Sequence, residues 1–404
     1  MQLYDTLRGH KAELDLPNDR PLTMYVCGVT PYDTTHIGHG RTFLVFDVLQ
    51  RYLRFLGAEV RYCQNVTDVD DPLFERAERD HVAWDDLARR ETQRFVEDCL
   101  AMNMLPPTYF PRASDEIPAM IPIIERLIEL GHAYVRNGNV YYRAATAPDY
   151  GAMPRMDYDE LLATAKNRGN NPNDPNKEDP LDFVLWQTGN PGDPTWDSPW
   201  GPGRPGWHIE CTTMSTRYLG DQLDIHGGGR DLIFPHHPSE IAQTEPVTGK
   251  HPFVHFWVHT GMARLENEKM SKSLGNMVFI RDALREHTAD AIRWYLLTFP
   301  YREDFDYVPD EVVATEEKVV QLRNALRITG GDGDPFDPNE LRNQVLTALD
   351  DDLNTPQALQ HFEELVGQTG GAAEEGRDVR AAQAALRELS HIFGFWAAGD
   401  GRTG

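Results

Sequence analysis

The chain has 404 residues, 40% of them hydrophobic and 25% charged, and a formal net charge of −25. Such a length suits two or three domains with a sizeable buried core, and no run reaches the ~20 apolar residues that cross a bilayer. The acidity argues against a generic nucleic-acid binder, because most of the surface repels a polyanion, although a local basic groove stays open. The N-terminal Met1-Gln2-Leu3-Tyr4-Asp5 lacks the basic-then-apolar pattern of a signal peptide. A cytoplasmic location and no membrane partner are expected.

Residues 22–28 read as a short buried strand ending in glycine. A turn rich in Thr, Pro and Asp follows at 30–35. Val45, Val48, Leu49, Tyr52 and Leu56 then keep helical spacing, and Gly57 is a natural stop. Residues 59–66 alternate as a second strand. Strand, turn, helix, strand makes a βαβ unit and predicts an α/β fold with a parallel sheet.

Residues 72–104 and 115–132 have helical patterns. Pro, Gly, Asn and Asp crowd 167–180 and 189–206, which reads as a loop-rich insertion at about 105–206 within the sheet domain. A strand-like run returns at 253–259. From Asp310 the chain reads as helical to its end, with breaks at 330–337 and 367–376. The expected division is a Rossmann-like catalytic domain over 1–300 and a C-terminal helical domain over 301–404.

His36-Ile37-Gly38-His39 sits where the first turn meets the first helix. A helix N-terminus carries unpaired N–H groups and partial positive charge, which suits phosphate. Two histidines there can donate to phosphate oxygens, and Gly38 leaves room for a close approach. Taken alone, the string is equally two surface histidines at a helix start. Lys269-Met270-Ser271-Lys272-Ser273 adds two lysines three apart in a small-residue loop. They can reach β- and γ-phosphates and stabilise a leaving pyrophosphate.

The four cysteines, Cys27, Cys63, Cys99 and Cys211, are too few and scattered for a disulfide framework. They are reduced buried thiols, or some of them ligate a metal. Cys27 ends the first strand, Cys211 lies in Trp207-His208-Ile209-Glu210-Cys211, and His236 and Glu240 are four apart, on one face if helical. Two thiolates, an imidazole and a carboxylate form a plausible zinc set, though without the spacing of a CxxC finger.

The paired histidine and lysine strings resemble the signature of class I aminoacyl-tRNA synthetases. With the cysteine and histidine segments, the resemblance narrows to cysteinyl-tRNA synthetases and the related mycothiol ligases, from Leu3 to about Phe395. It includes Asn65-Val66-Thr67-Asp68-Val69-Asp70-Asp71 and Asp224-Ile225-His226-Gly227-Gly228-Gly229. It implies a Rossmann-like sheet that binds ATP with Mg²⁺, an attack by the cysteine carboxylate on the α-phosphate, and one Zn²⁺ held by Cys27, Cys211, His236 and Glu240. His36, His39, Lys269 and Lys272 would be catalytic. Gly38, Gly227, Gly228 and Ser271 would join them around ATP, with His226 near the adenylate. Thr30, Thr67 and Trp207 would line the cysteine pocket. Zinc prefers sulfur, so serine would be rejected without an editing domain. Cys63 and Cys99 match no role and read as packing residues.

The acceptor divides the family. Synthetases of this kind continue into an anticodon-reading domain, which is expected to be missing from a chain ending at Gly404. That feature leans towards the mycothiol ligases, which pass cysteine to the amine of glucosaminyl-inositol. Arg41-Thr42-Phe43-Leu44-Val45-Phe46-Asp47, Arg293-Trp294-Tyr295-Leu296-Leu297 and Glu240 itself lean towards the tRNA enzymes. The reading adopted is a monomeric ligase acting on L-cysteine, ATP and tRNA(Cys). A glucosaminyl-inositol acceptor is the alternative, and a non-catalytic paralogue or another nucleotidyltransferase is less favoured.

Overall fold

The apolar run Leu22–Val29 forms an inner strand, β1, in a computed structural model that describes residues 1–32, 35–189, 192–265, 268–269 (backbone only) and 277–396. Helix α1 (Ile37–Phe55) follows, and then strand β2 (Val60–Val66). Further along come helix α2 (Trp207–Leu219), strand β3 (Leu223–Gly229), helix α3 (His236–Thr248) and strand β4 (Val254–Thr260). The four strands pair in parallel in the order β4-β3-β1-β2. The order reverses between β1 and β3, which opens a crevice at the carboxyl ends of these strands, the usual ligand position in such sheets.

Gly28 is required at the end of β1. A Cβ there would lie 1.6 Å from the carbonyl oxygen of Asn65. The register of β1 against β2 shifts between Val26 and Val29, beside Cys27. A hairpin of Gln2–Asp5 and His10–Glu13 leads into the sheet and is tied to β4 by Thr6 N–H donating to Trp257 O.

The expected insertion is a small antiparallel sheet of Ala133–Arg136, Asn139–Tyr142, Phe183–Gln187 and Arg204–Pro205, with helices Ala113–Glu129 and Tyr158–Asn167. The C-terminal part is helical: Pro309–Arg327, Asn339–Asp350, Thr355–Glu374 and Arg380–Phe393.

Two sequence expectations need correction. The helical stretch at 72–104 is two helices, Asp71–Asp80 and Trp84–Ala101, separated where His81 turns left-handed at φ 54°. The expected break at 367–376 is absent until Glu374, and the helix runs through Gly367, Gly370 and Gly371. Each glycine costs about 1 kcal/mol against alanine. Burial of Leu365, Val366, Thr369, Ala372 and Ala373 on one side offsets that cost.

Arg293 joins the sheet domain to the terminal helices. Fully buried, it donates to Asp47 Oδ2 at 2.6 Å, Met102 O at 2.7 Å and Phe393 O at 2.6 Å. Arg41, also buried, reaches the carbonyl of Pro300 at 2.7 Å and lies over the Phe305 ring. Replacing Arg293 by Met leaves the buried Asp47 carboxylate with Arg51, at 3.0 Å, as its remaining cation and frees the Met102 and Phe393 carbonyls in the interior. Urea denaturation should show a loss of about 3–5 kcal/mol, and a loss under 1 kcal/mol would mean the clamp is dispensable.

Candidate active site and metal centre

Four side chains from three elements converge beside the crevice. Cys27 comes from β1, Cys211 from α2, and His236 and Glu240 from the first turns of α3. Each is buried, and their ligand atoms lie within 4.8 Å of one another. Zinc bonds of about 2.3 Å to sulfur and about 2.0 Å to nitrogen or oxygen give tetrahedral edges of about 3.8 Å and about 3.3 Å. The sulfurs of Cys27 and Cys211 are 3.8 Å apart, and His236 Nε2 is 3.3 Å from Glu240 Oε1. Cys27 Sγ to Glu240 Oε1 is longer, at 4.0 Å.

The protonation chemistry points the same way. His236 Nδ1 is held by His208 Nδ1 at 2.9 Å, while its buried Nε2 has no hydrogen-bond partner. With Nδ1 as the donor to His208, Nε2 would present a lone pair beside Glu240 Oε1, the arrangement a metal ligand needs. Burial pushes the Glu240 carboxyl and the Cys27 thiol well up, and the His236 imidazole well down. A divalent cation would reverse the first two by its own charge. The donor set therefore fits a zinc-class ion.

More histidines surround this set than the sequence reading assigned. His226 Nε2 bonds Glu240 Oε2 at 2.9 Å. His237 Nε2 lies 3.4 Å from Cys27 Sγ, its Nδ1 meets His259 Nε2 at 2.8 Å, and His259 Nδ1 meets Thr6 Oγ1 at 2.8 Å. Trp257 stacks on His226 at 4.7 Å. The density of histidines between 208 and 259 is the sequence signal that could have found this network. His226, expected near an adenylate, is fully buried and bonded to Glu240.

The residues expected to line the cysteine pocket border the same centre. Trp207 is half-buried and stacks on His236 with ring centroids 4.3 Å apart. Thr67 Oγ1 accepts from Asn65 Nδ2, and Asn65 Oδ1 lies 3.8 Å from Cys211 Sγ. Thr30 hydrogen-bonds Asp70, whose carboxyl is raised to about 6 by burial and by Asp71, against the opposing pull of Arg204 and Thr30. Glu210, next to Cys211, has both carboxyl oxygens buried without a hydrogen bond.

His36 caps α1. Its Nδ1 accepts from Gly38 N at 3.1 Å and His39 N at 3.3 Å, so the proton sits on Nε2 and makes that nitrogen a donor. The rings of His36 and His39 stack at 3.8 Å. A Cβ on Gly38 would come within 3.0 Å of the His36 ring. The backbone of Lys269 pairs with Arg264, and past the lysine string Ile37 N–H donates to Val278 O while Ile280 N–H donates to Thr35 O. Both ends of the lysine segment are thus fixed, the outgoing one directly to the histidine string. Ser271, Lys272 and the Lys269 side chain lie outside the described residues. Gly227 and Gly228 lie in the last residues of β3, where a Cβ would strike Phe46 at 2.1 Å and Leu232 at 2.6 Å respectively.

The family described as "tRNA synthetases class I (C) catalytic domain" matches residues 14–317, and the "DALR domain" matches residues 344–397. A cysteine--tRNA ligase of Shewanella loihica is 44% identical over 89% of this chain and 77% of that protein. One of Haemophilus influenzae is 42% identical over 98% of this chain and 85% of that protein. The chain belongs to the cysteine--tRNA ligase family of class I tRNA synthetases. Among solved structures, a Mycobacterium tuberculosis methionyl-tRNA synthetase in complex with methionyl-adenylate has a TM-score of 0.69 at 17% identity, covering 93% of this chain and 89% of that one. An Agrobacterium radiobacter LeuRS in a ternary complex has a TM-score of 0.66 at 12% identity, covering 96% and 87%. These two speak to the fold alone. No helix among the described residues is long and apolar enough to cross a membrane.

Two outcomes are expected. His208→Ala, which frees His236 Nδ1, should weaken zinc(II) binding about 10–100-fold, and Cys211→Ala should weaken it further, both read by competition with a chelating dye. Unchanged affinity in Cys211→Ala would remove it from the ligand set. Between pH 4 and 6 the folded chain holds the Asp70 proton more tightly than the unfolded chain, so Asp70 costs stability as pH rises through that window. Asp70→Asn should therefore melt higher relative to wild type at pH 6.5 than at pH 4, and a constant difference would contradict the raised value.

Proposed function

We propose that this ligase activates L-cysteine with ATP, releases pyrophosphate, and transfers the cysteinyl group to tRNA(Cys). The observation that carries the reading is the convergence of the ligand atoms of Cys27, Cys211, His236 and Glu240 to within 4.8 Å of one another, beside the half-buried Trp207. The names of the relatives supply the acceptor.

Cys27, Cys211, His236 and Glu240 would hold one zinc ion. Bound there, zinc supplies a thiophilic Lewis acid that favours a substrate thiolate over a hydroxyl. Thr30, Thr67 and Trp207 border the subsite and orient the amino acid. The carboxylate of cysteine attacks the α-phosphate of Mg²⁺-ATP, and pyrophosphate leaves as the P–O bond to it breaks. His36 Nε2–H and His39 lie at the N-terminal end of α1 to donate to phosphate oxygens. Lys269 and Lys272, on a segment anchored beside His36, stabilise charge on the leaving group. Gly38 keeps the approach to the α1 terminus open. Gly227, Gly228 and Ser271 join the nucleotide site in this reading.

Lys272→Ala should slow cysteine-dependent ATP–pyrophosphate exchange by about 10²–10³ and leave the affinity for cysteine nearly unchanged. Equal losses in both would contradict a transition-state role. Labelled cysteine with ATP, offered tRNA and glucosaminyl-inositol separately, should appear on tRNA. A labelled amino-sugar with uncharged tRNA would overturn the acceptor.

A further inference from the structure

The chamber around Glu240 contains a second complete donor set, formed by Cys27, His226, His237 and Glu240, again with all four ligand atoms buried and within 4.8 Å of one another. It shares Cys27 and Glu240 with the first set and replaces Cys211 and His236 by two imidazoles. We propose that the chamber offers a divalent cation of the zinc–cobalt class two overlapping seats, the second built by these four residues. This rests on the reading of the first set as a metal site.

Three observations support it. Cys27 Sγ and His237 Nε2 are 3.4 Å apart, close to the sulfur–nitrogen edge of about 3.5 Å around zinc. His237 is oriented as a ligand is, and His226 Nε2 is held on Glu240 Oε2 at 2.9 Å. His237 Nδ1 reaches His259 and, through it, Thr6, an outer chain that leaves Nε2 facing the chamber. Trp257 fixes both rings, at 4.7 Å from His226 and 4.9 Å from His237. Glu240 serves either set, because Oε1 is 3.3 Å from His236 Nε2 and 3.9 Å from His237 Nε2, while Oε2 is 2.9 Å from His226 Nε2.

The two seats differ in chemistry and in neighbours. The first has two sulfurs and adjoins Trp207. The second has one sulfur and adjoins Trp257. Fewer thiolates make the second seat less selective for soft ions. A cation there is held by neither Cys211 nor the imidazole stacked on Trp207, so it sits away from the arriving substrate thiol. The second seat is thus a parking position that binds metal without serving catalysis.

Cobalt(II) titration of the full chain tests this, with the thiolate-to-cobalt charge-transfer band as readout. Wild type should bind one cobalt with a two-thiolate band. Cys211→Ala/His236→Ala, or Cys211→Ser/His236→Gln if the first does not fold, should still bind one cobalt with a band of about half the intensity, since one of two thiolates remains. Adding His226→Gln and His237→Gln should abolish it. A folded double variant that binds no cobalt, or binding that survives the second pair of changes, overturns the second seat. Wild type binding no cobalt overturns the metal reading itself.

Discussion

The Glu240 carboxylate is fully buried, and its partners are His226, His236, His237 and Cys27. A carboxylate and thiols so placed are either protonated or matched by a cation, because an unpaired interior charge costs several kcal/mol. The near-tetrahedral spacing of the first donor set favours the cation. Its charge would stabilise the thiolates and carboxylate that burial alone disfavours, so metal binding and local folding become one event.

The rest of the fold positions that point. β1 delivers Cys27 beside the crevice where the sheet order reverses, and Gly28 lets β1 and β2 approach closely enough for Asn65 to reach the Cys211 sulfur. The insertion and α2 bring Trp207 and Cys211 from above. α1 starts at His36, at the same end of the sheet, and its other flank is locked by Asp47 to Arg293 and onward to Phe393. In the proposed reaction the nucleotide and amino-acid subsites would therefore share one frame, which near-attack alignment of carboxylate and α-phosphate demands.

Local pattern carried the strand–turn–helix–strand unit and the i, i+4 relation of His236 and Glu240, since both depend on near neighbours. The histidine network was not legible that way. Thr6 and His259 are bonded partners more than 250 positions apart, and only the tertiary fold brings them together. The αL turn at His81 lacks the glycine that usually marks such a stop, while Gly367, Gly370 and Gly371 mimic a stop inside a helix that packing holds intact. The acceptor was ambiguous because family-specific strings pointed both ways. Relatives matched over nearly the whole chain favour tRNA.

The central claim is that a metal held by Cys27, Cys211, His236 and Glu240 meets the substrate's sulfur directly. X-ray absorption at the zinc edge, with and without L-cysteine, tests it most directly. The sulfur shell at about 2.3 Å should grow from two scatterers to three with L-cysteine and stay at two with L-serine. A shell that does not change on saturating L-cysteine would contradict the account.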